Sequence, residues 1–153
     1  MNHLVDFKQT STPEWASKID RWYQLDELSY SFCEAIHNWN YLKEFPQPDQ
    51  VILAIEGACN VADFDYAHTK PSSPAKFVYT LPNICSSVIF QLIGFQGKVI
   101  CLNQGKHTLN FAQTEATQLA NAGKTVWLFS SPSELESGKR KIIFECLTPN
   151  KSS

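Results

Sequence analysis

The residues Val51-Ile52-Leu53-Ala54-Ile55 are apolar without interruption, the pattern of a strand buried on both faces of a parallel sheet. Upstream the period changes. Leu28, Phe32, Ala35, Ile36, Trp39 and Leu42 recur every three or four positions, which predicts a helix over Asp26–Lys43, ended by Phe45-Pro46-Gln47-Pro48-Asp49. Trp15, Ile19, Trp22 and Tyr23 stand at helical spacing behind the helix-start signal Ser11-Thr12-Pro13-Glu14, predicting an earlier helix. Leu4-Val5-Asp6-Phe7 alternates weakly, as a strand does. Downstream, Glu56–Asn60 reads as a loop and residues 60–76 as a long excursion with little periodicity. Phe77–Leu81 leads into Pro82, which suits the first turn of a helix reaching about Ile93. Gly94 and Gly97 flank a turn, and residues 99–131 then read strand, tight turn, helix, strand. A polar turn at Ser133–Gly138 precedes a final strand, Lys141–Cys146, which is close enough to return antiparallel. The tail, residues 148–153, is expected to fray. Strands alternating with helices imply an α/β fold with a mixed, mostly parallel sheet and flanking helices. A length of 153 residues suits one domain, residues 1–153.

Composition narrows the functions available. The chain is 43% hydrophobic and 12% aromatic, enough for a sizeable core. Its formal net charge is -2, and its 13 basic side chains are scattered apart from Lys139-Arg140-Lys141. Nucleic acid needs a clustered basic face, so it is not expected as a partner. The basic triplet reads as the solvated start of a strand. The sequence has no apolar run long enough to span a membrane and no secretory pattern at its start, so a cytoplasmic location is expected. Five cysteines, Cys33, Cys59, Cys85, Cys101 and Cys146, never form CxxC, and four sit in apolar runs where a thiol serves as a small hydrophobe. His3, His37, His68 and His107 lie apart from them and from one another, so neither a zinc site nor a cofactor is expected.

The tight turn Asn103-Gln104-Gly105-Lys106-His107 lies where ligands of open α/β sheets bind, at the carboxyl end of a strand and the mouth of a helix. A nucleophile there would gain from the helix N-terminus. No Ser or Cys stands at the apex. Thr108 reads as a cap or first-turn residue, and Cys101 as buried packing within the strand. An amine nucleophile at Lys106 needs desolvation that nothing nearby suggests, and the residue reads as exposed.

Several pieces in order resemble the N-terminal half of β-ketoacyl-ACP synthases. They are Asp26–Ala35, Ala54-Ile55-Glu56-Gly57, Phe77-Val78-Tyr79-Thr80-Leu81-Pro82-Asn83 before a helix, and Gly94-Phe95-Gln96-Gly97 before strand, turn and helix. The Leu81-Pro82-Asn83 loop is the more specific. The resemblance runs from about residue 25 to 147 and implies half of a thiolase-like fold. It places the family's nucleophilic cysteine at Lys106, or with another gap at Gln104 or Gly105. The family's two histidines and lysine belong to a C-terminal half that would begin where this chain stops. His37, His68 and His107 do not match them. The resemblance therefore implies no independent condensation. It points to the chain-length factors of type II polyketide synthases and to shortened synthase-like domains of aryl-polyene clusters. These pair with an active ketosynthase and shape its acyl tunnel, so the expected partners are a full-length β-ketoacyl-ACP synthase and, indirectly, the acyl carrier protein.

Physical patterning agrees with a partner. Over 107–122, Leu109, Ala112, Ala116, Leu119 and Ala120 form an apolar face, and the remainder carries Glu115 as its only charge. A freely exposed helix normally carries more. Trp15, Trp22, Tyr23, Tyr30, Trp39, Tyr41, Phe64 and Tyr66 exceed what half a sheet needs, and some suit an interface. By the resemblance, Val99, Ile100, Cys101, Leu102 and Asn103 would extend the sheet of a full-length ketosynthase. The alternatives are a small acyltransferase or hydrolase using Cys101 or Cys59 with His107, and a generic α/β scaffold.

Overall fold

A computed structural model describes residues 2–6, 11–57, 67–68, 82–132 and 139–149, with backbone only at 2–6, 82, 83 and 139. Its five strands are β1 (Asn2–Asp6), β2 (Gln50–Ile55), β3 (Lys98–Leu102), β4 (Val126–Ser131) and β5 (Lys139–Leu147). They form one sheet in the order β1-β5-β4-β2-β3. β2 pairs in parallel with both β3 and β4, while β5 lies antiparallel to β4 and to β1. Four strands thus point one way and β5 alone is reversed. The helices whose bounds are described are α1 (Glu27–Asn38), α2 (Pro82–Ile93) and α3 (Thr108–Asn121), and residues 67 and 68 are also helical.

β2 accounts for the architecture. All six of its residues are buried, so both faces of the sheet must be covered. On one face, alternate strand residues Val51, Leu53, Ile55, Trp127, Phe129, Ile142 and Phe144 meet α1, α2 and the segment around Trp15. Phe144 is the hub there, with ring centroids 5.0 Å from Phe129, 5.4 Å from Trp127 and 6.0 Å from Trp39. Such aromatic contacts each add about 0.5–1.5 kcal/mol beyond burial. The indole nitrogens find acceptors. Trp127 Nε1 donates to the Pro46 carbonyl at 3.0 Å, and Trp15 Nε1 to the Glu34 carboxylate at 2.8 Å.

The other face is thinner. Ile52, Ala54, Val126 and Leu128 pack against Ala112 and Ala116 of α3, with Ile100, Leu102, Leu119 and Leu147 half-buried at the margin. Alanines let the helix axis lie close to the sheet.

α1 begins as its sequence requires, with Asp26 accepting a hydrogen bond from the Ser29 amide at 2.9 Å. It stops five residues before the expected end, because Trp39 leaves helical backbone (φ -91°, ψ 57°) to reach the core and Asn40–Glu44 continues as a 3-10 turn. The helix expected over Trp15–Tyr23 is instead two short 3-10 turns, Ala16–Lys18 and Trp22–Gln24. Arg21 between them sits at φ 53°, which no right-handed helix accommodates. Trp15 and Ile19 still reach the core; their spacing reflects burial, not a helix. Pro82 opens α2 and Gly94 follows its end. Phe95 folds back so that its ring lies over Gly97, where any Cβ would fall 2.2 Å from the ring.

Two further expectations are corrected. Arg140 is not solvated: at 4% exposure it is buried on the α1 side of β5. The large aromatics mostly belong to the core. Trp15, Tyr30 and Trp39 are buried and Trp22 packs against them, leaving Tyr23 and Tyr41 exposed. Phe64 and Tyr66, the excursion at 60–76 apart from residues 67 and 68, and Phe77–Leu81 lie outside the described residues.

The close seating of α3 is testable. Ala116→Leu overpacks the helix against β2 and β4, and is expected to cost about 1–3 kcal/mol. Chemical denaturation would read this as a lower midpoint at unchanged slope.

Candidate functional site

β3 is an edge strand: among the described residues it pairs only with β2. Its side chains alternate between the two faces. Val99 packs on the α1–α2 side, while Ile100 and Leu102 pack on the α3 side. Cys101 therefore points to the α2 side, and it is exposed rather than buried as its apolar neighbours suggested. At the carboxyl end of β3 the chain turns through Asn103–His107, all exposed, into α3.

The turn is closed by a residue just beyond its apex. Thr108, 1% exposed, is the first residue of α3. Its hydroxyl accepts from the Gln104 amide at 2.7 Å and donates to the Gly105 carbonyl at 2.6 Å. The Thr108 amide donates to the same carbonyl at 3.0 Å, and the His107 amide donates to the Gln104 carbonyl at 3.2 Å. Gly105 takes φ 55° with open space where a side chain would be. The Gln104 and His107 amides and the Gln104 and Gly105 carbonyls are thus spent on closing the turn. The three positions matched to the family nucleophile, Gln104, Gly105 and Lys106, are all exposed, and none carries a thiol or hydroxyl.

The thiol–imidazole alternative is not assembled at Cys101. Cys101 points to the α2 side of the sheet, whereas His107 precedes the helix on the opposite side. Burial of the rest of the Cys101 side chain pushes its thiol above the ordinary range, which leaves less thiolate at neutral pH. Cys59 lies outside the described residues. Cys33 and Cys85 are buried, and desolvation also drives the Cys33 thiol upward. The Leu81-Pro82-Asn83 loop is seen only in part: Pro82 and Asn83 start α2, and Leu81 lies outside the described residues.

The outer face of α3 is the second element of the site. Asn110, Gln113, Thr114, Thr117 and Gln118 line a shallow open groove along it. Thr114 donates to the Asn110 carbonyl at 2.9 Å and Thr117 to the Gln113 carbonyl at 2.7 Å. Both hydroxyls are turned onto their own helix, which leaves γ-methyl groups for an approaching surface. Phe111 stands 58% exposed beside them. The lack of charge was legible in the sequence; the inward-turned hydroxyls were not.

The sequence matches no family model, and no curated protein matches it. The fold does have a solved counterpart. It is similar to a chain in the structure of the ketosynthase ApeO in complex with its chain length factor ApeC, from Xenorhabdus doucetiae. The TM-score is 0.66 at 11% identity, over 94% of this chain. The chain spans 65% of the length of the chain it matches. The fold is thus a ketosynthase-type, thiolase-like α/β fold, the one the ordered motifs implied.

Two measurements check the site. Thr108→Val leaves the Gln104 amide without its acceptor and is expected to cost about 1–3 kcal/mol, whereas Lys106→Ala is expected to be neutral within about 0.5 kcal/mol. In native protein, iodoacetamide should label Cys101 before Cys33 or Cys85, more slowly at pH 7 than a free cysteine, and faster as pH rises toward its raised pKa.

Proposed function

We propose that this chain is a non-catalytic, ketosynthase-like subunit of the chain-length-factor kind. It pairs with a full-length β-ketoacyl-ACP synthase and walls part of that enzyme's acyl tunnel, in a polyketide or fatty-acid-type pathway of the cytoplasm. The observation that carries the reading is the edge strand with its turn. The turn offers no nucleophile and is closed by Thr108, while β3 keeps an unpaired edge among the described residues.

Physical argument supports a partner at this place. An open strand edge is a template for another strand. Beside it, the described outer face of α3 offers amides and methyl groups and no full charge. Covering such a surface desolvates no charge, and its amides are covered without loss where the partner hydrogen-bonds them. Paired there, the chain would add β3 to a neighbouring sheet and lay α3 against it. The proton-transfer groups and the thiol of the condensation would all come from the synthase, and the carrier protein would dock on the synthase. The solved counterpart belongs to a complex of a ketosynthase with its chain length factor, an assembly of the proposed type.

Co-expression with a candidate synthase tests this. The wild-type chain is expected to recover as a defined hetero-oligomer and to be poorly soluble alone. The double variant Thr114→Lys/Thr117→Lys, on the solvent face of α3, should keep its secondary structure by circular dichroism and lose most of the complex. A stable monomer that turns over thioesters unaided would overturn the reading.

A further inference from the structure

Away from the turn, at the amino ends of the strands, the structure holds a partly enclosed cleft of about 140 Å³ between the last turn of α1, the Asn40–Glu44 segment and the end of α2. Its walls include Trp39, Leu92, Ile93 and Trp127. The Trp127 indole nitrogen is already committed to the Pro46 carbonyl, so its ring meets the cleft as an apolar surface. The polar residues Lys18, His37, Asn40, Lys43 and Gln47 also line it, and both lysines are exposed at its opening. His37 Nε2 lies 3.0 Å from the Glu14 carboxylate. Neither lysine has an acidic partner among the described residues.

We propose that this cleft binds a small amphipathic carboxylate, one aromatic ring or a short alkyl chain bearing a single carboxyl group. The volume sets the size, since an apolar cavity of about 150 Å³ holds one benzene ring. The walls set the apolar part: the two indole rings and the Leu92 and Ile93 side chains form it. The two unpaired ammonium groups set the sign of the head group, and their flexible stems let them meet it at the opening. A macromolecular ligand is disfavoured because the space admits little more than one side chain's worth of atoms. This site is independent of the synthase reading: it lies at the opposite end of the sheet from the turn and uses none of its residues.

The probe is 4-fluorobenzoate, followed by ¹⁹F line broadening with the full chain, alone or in the complex in which it is purified. Saturable binding is expected, with 4-fluorobenzyl alcohol, the neutral counterpart, about tenfold weaker. Lys18→Gln/Lys43→Gln should weaken the carboxylate about tenfold and leave the alcohol unchanged. Ile93→Trp should fill the cleft and abolish both, with the fold checked by circular dichroism. No saturation up to about 10 mM, equal binding of acid and alcohol, or binding indifferent to all these variants would overturn the proposal. None of these results bears on whether a synthase is bound.

Discussion

The constraint on which everything else depends is the complete burial of β2. A strand with six buried residues and neighbours on both sides cannot leave either face of its sheet to water. At ~25 cal/mol per Å² of apolar surface, each large side chain left uncovered would forfeit about 1.5–3 kcal/mol. The chain meets this demand unequally. One face receives two helices and a cluster of interlocking rings around Phe144. The other receives α3 and its alanines.

That inequality links fold to function. The ring-rich face is covered several side chains deep, and most of the described aromatic residues lie there. The α3 face is covered one helix deep, and α3 ends its outward side in amides and inward-bonded threonines. The same helix opens on the turn that Thr108 ties shut. There the Gln104 amide donates to the Thr108 hydroxyl and the His107 amide to the Gln104 carbonyl, so two of the turn's amides are tied back into the turn.

Much of the fold was legible in the sequence where burial and period coincide. The unbroken run at 51–55, the helical spacing of Leu28 to Ile36, the proline opening α2 and the strand–turn–helix–strand at 99–131 all recur as expected. The reversal of β5 follows from its short connection. What misled was apolar character without its context. Trp15, Ile19 and Trp22 carry a helical spacing over a segment that Arg21 breaks. Cys101 sits in an apolar strand but at the sheet edge, which no local pattern reveals. Arg140, in a basic triplet, is buried because strand alternation places it on the same face as Ile142 and Phe144. At the turn, the sequence shows directly that residues 103–107 include no Ser or Cys. The double role of the Thr108 hydroxyl required coordinates.

The pairing of β1 with β5 joins segments more than 130 residues apart, Asp6 opposite Lys139. As the chain leaves the ribosome, the first strand must wait for its only described neighbour. At ~5–20 residues per second that delay is on the order of ten seconds. Throughout it β1 carries open backbone groups, and its ladder forms only once β5 has been made.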